Sequence, residues 1–270
     1  MSSFSATQFL FGSLYKNRRL LTEMARRDIS DRYAGQMLGS FWAVIHPVMI
    51  IAVYIFIFGV VFKTKVDIGV DVPGDHTLYM LSGLVAWLVA ADVLGRGPTA
   101  VSAQSSLVKQ VVFPVEILPV KMVLSTLPTL IIGLVGLTLY GFIAVGKGSL
   151  AFLLFPLAAI PLYLFLLGVA FALAAVGVFL KDLKDMVQMY ALVGLYVAPV
   201  FYFIDWVPQS LRFIVYLNPI TVFIECFHDA GYYGAVRPLI WLAATALGLI
   251  SALVGAALFA RLKPYFGSYL

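Results

Sequence analysis

The sequence predicts an all-α polytopic membrane protein, with an N-terminal amphipathic interface helix, six transmembrane helices and a short re-entrant helical hairpin between spans five and six. Of its 270 residues, 62% are hydrophobic and only 11% are charged, against about 25% charged residues in ordinary soluble domains. The apolar residues form long runs, and a polar, basic segment precedes the first run. A soluble chain of this length could not bury so much apolar surface in one core.

The N-terminal segment changes character at about residue 40. Charges are frequent from Arg26 to Arg32, whereas residues 41–62 carry none. We interpret this change as a solvent boundary, with Trp42 at the membrane interface. Upstream of it, four apolar residues recur at helical spacing, which is typical of a helix lying in the membrane interface: Leu10, Leu14, Leu21 and Met24. The alternative is a basic tail that only enforces orientation.

Six apolar stretches reach the length of about 20 residues that a membrane-spanning helix needs. They lie at roughly residues 41–62, 77–95, 120–145, 150–180, 186–204 and 238–260. The fourth is overlong and contains Pro156 and Pro161, which indicates a kinked or tilted helix or an interfacial first turn. We predict a single membrane domain over residues 1–270, with a cytoplasmic or interfacial segment at 1–40 and the six-span region at 41–270.

The distribution of basic residues predicts the orientation. Of the 18 Lys and Arg residues, 13 lie in the N-terminal segment, the loops after spans two and four, and the C-terminal tail. Basic residues are enriched in cytoplasmic segments. Both termini are therefore predicted to be cytoplasmic, in a multi-pass membrane protein.

The outer segment between spans five and six, residues 205–237, is too apolar for a free loop and too interrupted by Pro and Gly for a span. Two short re-entrant helices, near 208–217 and 219–230, fit it best, because non-helical backbone at membrane depth must be covered by protein or face a water-filled cavity. In span six, small residues recur every fourth position and predict close helix packing: Ala244, Gly248, Ala252 and Ala256.

An ion-coupled carrier usually has several ionisable residues inside its spans. Here the spans have almost none, and the main exceptions, Asp92 and Lys121, lie near span ends. The sequence has no Gly-rich phosphate loop and no metal-ligand cluster, and its three histidines are far apart in the sequence. Transport against a gradient would therefore need energy from another chain. A membrane-embedded transferase is a weaker alternative, since Asp182 and Asp185 form the only tight acidic pair. A passive channel is a further alternative.

The loop "AQSSLVKQVVFPVEILPVK", residues 103–121, begins with a short amphipathic segment from Ser105 to Val112 and ends at a Phe-Pro pair. Proline ends a helix. A short helix below the membrane is a good docking surface for a cytoplasmic partner. The alternative is a plain connector.

Several motifs resemble those of one family. "RDISDRYAGQMLGSFWAVIHP" resembles the start of ABC-2-type permeases that export polysaccharides (O-antigen, capsule or teichoic acid), with matches at Arg27, Asp28, Arg32, Tyr33, Leu38, Gly39, Trp42, Ala43 and Pro47. "LVKQVVFPVEILPV" is similar to the family's coupling loop. "APVFYFIDWVP" followed by "LNPIT" is similar to its span-five exit and outer hairpin. The resemblance covers nearly the whole chain and keeps the order of the elements.

The resemblance implies a homodimer bound to two copies of a separate ATP-binding-cassette ATPase, which would hold ATP and Mg, with no cofactor, metal or nucleic acid on this chain. The substrate would be a polyprenyl-linked polysaccharide, most closely an O-antigen. Capsule, teichoic acid, drug or lipid export are the alternatives. The family's ATPase contacts carry over to seven residues: Arg27, Asp28, Asp31, Arg32, Lys109, Gln110 and Glu116.

In that family, spans one and five line the channel, and sugars stack on aromatic rings. The corresponding aromatic residues here are Tyr54, Phe58, Phe62, Tyr190, Tyr196, Phe201 and Tyr202. The alternative is that these rings pack against other helices or lie in an interfacial belt. Three arginines near the inner headgroup level, Arg26, Arg27 and Arg32, are candidates for binding a lipid pyrophosphate, unless they serve only in anchoring and partner docking.

Overall fold

The computed structural model describes residues 12–61, 75–110, 113–144, 146 and 150–270, and these residues form helices and turns without a strand. Five helical segments among them are long and apolar enough to cross a membrane: Gly39–Val61, His76–Thr99, Ile117–Ile143, Ala151–Gly177 and Pro238–Tyr269. They coincide with five of the six predicted spans. The all-helical, multi-span fold class is therefore confirmed.

The N-terminal helix α1 (Arg18–Asp31) leads into α2 (Trp42–Tyr54) through a tight turn. Gly35 and Gly39 have φ angles of +82° and +49°, in the left-handed region that glycine adopts without a steric penalty. These two glycines therefore explain the Gly-rich step before the first span. Beyond α2 the chain continues as a π-helical stretch, Ile55–Val61.

The second span forms the centre of the molecule. Its helix α3 (His76–Arg96) buries bulky side chains such as Trp87 and Tyr79. The carboxylate of Asp75 accepts the backbone N–H of Thr77 at 2.8 Å and so caps the start of α3. Span one, in contrast, leaves most of its apolar surface exposed, and this surface must be covered by lipid or by another protein chain.

After α3, the short helix α4 (Ser105–Gln110) lies in the predicted docking loop. The third span consists of α5 (Ile117–Leu124) and α6 (Leu127–Ala144), which are separated by a turn at Ser125 and Thr126. The sequence predicted one continuous helix here. The hydroxyl of Thr126 turns back onto the carbonyl of Val123, and such side-chain bonds compete with regular helix geometry.

Span five differs from its prediction. Helix α8 (Leu183–Val197) has 15 residues and covers about 22 Å at 1.5 Å per residue, less than the hydrocarbon layer of about 30 Å. It ends where Ala198 becomes extended, with ψ at 146°, because a residue that precedes proline is driven out of the helical region. The predicted end at residue 204 was therefore wrong. The non-helical backbone at Ala198 and Val200 is buried by protein.

The fourth span, α7 (Leu154–Gly177), packs against the sixth, α11 (Pro238–Leu262). The predicted seam of small residues is buried in this contact: Ala244, Gly248, Ala252 and Ala256. A Cβ atom on Gly168 would lie 2.1 Å from the carbonyl of Ser251. The two backbones therefore touch, as the spacing of small residues predicted.

The predicted re-entrant hairpin is present. Its first helical segment, Gln209–Leu217, includes α9 (Arg212–Leu217). The second, Thr221–Tyr233, includes α10 (Thr221–His228) and is bent by 102° from the first. The C-terminal helix α12 (Phe266–Tyr269) shares an apolar cluster with α1, at the end of the bundle that we call the α1 end. The hairpin lies at the opposite end, called here the hairpin end.

Candidate functional site

Six polar residues bring α1, α3 and the third span together at the α1 end, and we call them the ion network: Asp28, Arg32, Asp92, Arg96, Lys121 and Ser125. The guanidinium of Arg96 lies 2.9 Å from Asp28 and 2.8 Å from Asp92. Arg32 lies 3.0 Å from Asp92, and the ammonium group of Lys121 lies 3.4 Å from Asp28. The network therefore joins residues that are 60 to 97 positions apart in the sequence.

The carboxylate of Asp28 is the acceptor at the centre of this network. Burial by itself would raise its pKa. The hydroxyl of Ser125, which donates at 2.7 Å, and the charges of Arg96, Lys121 and Arg32 together outweigh burial and hold the pKa of Asp28 below its ordinary value. Asp28 is therefore ionised at neutral pH and attracts all three bases.

Six of the seven residues predicted to contact the ATPase fall into two groups. Asp28 and Arg32 point into the ion network, and Glu116 is buried beside Lys263, whose ammonium group lies 2.7 Å away. Arg27, Asp31 and Lys109 are exposed. Gln110 lies at the end of α4, and its side chain is outside the described part of the structure. Of the three arginines considered for binding a lipid pyrophosphate, Arg26 and Arg27 are exposed, whereas Arg32 belongs to the ion network.

The Glu116–Lys263 pair joins the docking loop to the C-terminal tail. Burial favours the protonated acid, but hydrogen bonds from Lys263 and Ser13 reverse this effect and lower the pKa of Glu116. A cavity of about 550 Å³ opens beside the pair, lined by Lys16, Asn17 and Phe113 among others. The loop, the N-terminal segment and the tail thus form one surface.

Four of the predicted aromatic residues form a cluster between spans one and five. Tyr54 and Phe58 stack at 6.1 Å between ring centroids, and both rings face Phe201, at 5.6 and 5.9 Å. Tyr196 lies 6.0 Å from Phe201 and is 66% exposed. We call these four residues the aromatic cluster. The channel-lining role of these residues stays a prediction, because stacking between the rings is also what the alternative of helix packing expects.

Three other predicted aromatics lie outside the aromatic cluster. The hydroxyl of Tyr190 donates to Asn218 at 2.8 Å, which ties α8 to the hairpin. The hydroxyl of Tyr202 donates to the carbonyl of Val197 and holds the turn after α8. Phe62 lies outside the described residues. The hydroxyls of Tyr190 and Tyr202 therefore both have hydrogen-bond partners within this chain.

A second charged group, called here the hairpin cluster, lies where the hairpin meets α11. Arg237 lies 2.6 Å from both Glu225 and Asp229, and the indole of Trp241 donates to Asp229 at 2.9 Å. The imidazole of His228 lies 3.4 Å from Glu225. Both carboxylates are buried, so the cluster fixes the second arm of the hairpin to the start of span six.

Sequence reasoning missed Arg96 and the hairpin cluster. Asp92 and Arg96 are four residues apart, a spacing that pairs charges on a helix face, and Glu225 and Asp229 repeat this spacing inside an apolar segment. The spacing of Asp92 and Arg96 could have indicated an ion pair on one helix, and two acids at the same spacing in an apolar segment could have indicated a nearby base. His228 is fully buried, and its imidazole stacks on the ring of Tyr79 at 3.7 Å. Among the described residues, its Nε2 atom has no hydrogen-bond partner.

Comparison with known proteins supports the family that the motifs resemble. Two O-antigen export system permease proteins RfbA of Klebsiella pneumoniae are 27% and 26% identical over 259 residues, covering 93% of this chain and 95% of each relative. A protein of the same name from Myxococcus xanthus is 26% identical over 246 residues, covering 89% of this chain and 92% of the relative.

The profile of the family described as "ABC-2 type transporter" matches residues 19–232. The matched region runs from α1 through the hairpin. It therefore includes the ion network and the aromatic cluster, together with Glu225 and Asp229 of the hairpin cluster. The chain belongs to the ABC-2 type transporter membrane family.

Proposed function

We propose that this chain is the permease subunit of an ATP-binding-cassette exporter that moves a lipid-linked polysaccharide, with O-antigen as the leading candidate, across the inner membrane of a bacterial cell. The observation that carries this proposal is the family match, joined to relatives named for O-antigen export that align over about nine tenths of the chain. The chain is a transport subunit and supplies the membrane path.

The energy would come from two copies of a separate ATPase, which bind ATP and Mg, on a homodimer of this chain. The sequence contains no phosphate-binding loop of its own. A homodimer is supported by the apolar surface that span one leaves exposed, and by exposed apolar residues on α8 beside Tyr196, such as Leu192 and Val193. A second copy of the chain would cover this apolar surface, and the two copies together would enclose the path of the glycan through the membrane.

The α1 end would face the cytoplasm, with both termini on that side, because most basic residues lie there. The ATPase would dock on the exposed residues Arg27, Asp31 and Lys109 and on the neighbouring α4. The cavity beside Glu116 offers a concave surface for it. Arg26 and Arg27 would also bind the pyrophosphate of a polyprenyl carrier. Their exposure supports this role, since guanidinium groups bind phosphate in a bidentate manner.

The glycan would pass along the aromatic cluster. Ring faces bind the apolar faces of sugars, and Tyr196 presents its ring on the exposed side of α8. The short, broken hairpin would cover the exit, as irregular backbone at membrane depth is tolerated where it lines a cavity.

The test is depletion of the protein in its host, followed by measurement of surface glycan and of polyprenyl-linked glycan inside the cell. We expect surface glycan to fall and lipid-linked glycan to accumulate inside. Unchanged glycan in both places would overturn the polysaccharide assignment and would leave drug or lipid export to be assayed on the same strain.

A further inference from the structure

The guanidinium of Arg96 contacts three separate elements. It binds both carboxylate oxygens of Asp92 on its own helix, at 2.8 and 2.9 Å. It donates to Asp28 on α1 at 2.9 Å and to the carbonyl of Met122 on α5 at 3.1 Å. The planar fork of an arginine can serve several acceptors at once, which an ammonium group does less well.

The contacts of Arg96 are sheltered and charge-assisted. The charged side chains of the ion network are 11% to 27% exposed, so solvent screens them less than it would screen surface pairs. Charge-assisted hydrogen bonds are roughly twice as strong as neutral ones. The ion network is therefore a stronger link between α1 and the spans than the same number of surface ion pairs would be.

The docking loop is attached to this network at both ends. The whole connection that carries the docking loop, residues 97–116, follows Arg96 directly, and α5 begins four residues before Lys121. Helix α1 precedes both in the sequence. Its covalent connection to them runs through the first span, and it also packs on α5. A displacement of α4 therefore acts on α3 and α5 directly, and the ion network extends that displacement to α1.

We infer that Arg96 is a positioning residue that makes α1, the end of α3 and α5 move as one body when the ATPase displaces the docking loop. This inference rests on the proposed function, because it assumes an ATPase partner. It assigns Asp28 and Arg32 to force transmission within this chain, in place of direct ATPase contact.

The test uses the whole permease–ATPase complex in proteoliposomes, with glycan export and ATP hydrolysis measured together. Cys226 is first replaced by Ala, which leaves a chain without cysteine. Asp28→Cys and Ser125→Cys are then combined, because the Ser125 hydroxyl lies 2.7 Å from the Asp28 carboxylate. The reduced form lacks the central acid of the network, whereas the oxidised form replaces the ionic link by a covalent one. Mass spectrometry after alkylation establishes the extent of disulfide formation.

In the reduced form we expect export per ATP to fall about fivefold or more, the lower end of typical coupling strengths, with ATP hydrolysis within about twofold of the wild type. Oxidation should restore the ratio. The inference is overturned if the reduced form keeps the wild-type ratio of export to ATP hydrolysis. It is also overturned if the disulfide forms and export stays low, because export would then require α1 to move relative to α5.

Two further variants separate positioning from folding. Arg96→Lys keeps the charge and loses the fork, and an intermediate ratio of export to hydrolysis is expected at unchanged thermal stability. A ratio equal to that of the wild type would contradict the role of Arg96. The matched control is Glu23→Gln, an exposed position on α1 outside the ion network. A wild-type complex that exports no glycan at all would instead count against the proposed function.

Discussion

Asp229 and Arg237 form a 2.6 Å ion pair between the end of the hairpin and the start of α11. The carboxylate of Asp229 is fully buried, and Glu225 binds the same guanidinium from one helical turn earlier. Two buried acids thus depend on one base. Arg237 therefore helps to hold the hairpin on the bundle, together with apolar packing.

Replacing Arg237 by Ala should destabilise the protein. Removing one partner of a buried pair leaves an uncompensated charge and costs about 3–5 kcal/mol. We expect the lower end, about 3 kcal/mol, because Arg237 is itself 40% exposed. Thermal unfolding in detergent measures the loss, and hydrogen exchange should show it first at α10.

The matched control for Arg237 is Arg212→Ala in the other arm of the hairpin. Arg212 also forms an ion pair, at 3.3 Å, but its partner Asp205 is 88% exposed. Exposed pairs contribute about 0–1 kcal/mol. Equal losses of stability in the two variants would contradict a structural role for the hairpin cluster.

Acid should release α1 from the bundle. The pKa of Asp28 in the folded protein lies below its ordinary value of 3.8. A lowered carboxyl pKa contributes stability that is complete above the ordinary value and is lost as the pH falls through the folded value. We expect α1 to stay docked down to about pH 4 and to detach below it. The measurement is the distance between spin labels on α1 and α6 in nanodiscs.

The Asp28→Asn variant controls for the other acids that titrate in this range, including Glu116. It should show a weaker docking of α1 that changes less with pH between 6 and about 3. A distance that responds to pH as strongly in the variant as in the wild type would assign the transition to another group.

The Tyr196 ring should matter for export without mattering for folding. Its 66% exposure means that removal of the ring leaves no internal cavity. Tyr196→Leu should lower glycan export, whereas Tyr196→Phe, which keeps the ring face, should export normally. The readout is surface glycan at equal protein level. Normal export by the Leu variant would remove Tyr196 from the proposed glycan path.

The sequence was sufficient for the spans and the hairpin, because both depend on long apolar runs and on Pro and Gly within them. It was not sufficient for the end of span five, where a single residue, Ala198, leaves the helix before Pro199. The aromatic cluster was partly predictable. Tyr54 and Phe58 share a stripe on one helix, but the contact of both rings with Phe201 depends on how span five turns after Val197.

The ion network could not be predicted as a unit. Asp28 and Ser125 are 97 positions apart, and no local pattern connects them. The contact of Asp28 and Arg32 with a partner stays a prediction, and the structure shows that both side chains form ion pairs within this chain. The sequence showed Asp92 and Lys121 only as separate charges. The three-dimensional structure shows that Arg96 binds both Asp92 and Asp28, and that Lys121 binds Asp28 as well.

The contact between α7 and α11 makes a prediction about backbone spacing. A Cβ atom on Gly168 would lie 2.1 Å from the carbonyl of Ser251, so Gly168→Ala must separate the two helices. Overpacking of this kind typically costs about 1–3 kcal/mol. We expect the upper part of this range, because the opposing atoms belong to the backbone and cannot rotate away.

The control for Gly168 is Gly95→Ala in α3, where a Cβ atom would meet no atom within 4 Å. Alanine is favoured over glycine in a helix by about 0.8–1.0 kcal/mol, so this variant should be as stable as the wild type or more so. Thermal unfolding of both variants in the same detergent decides the matter. If Gly168→Ala is as stable as Gly95→Ala, the two helices are further apart than described, and the seam of small residues in span six does not hold them together.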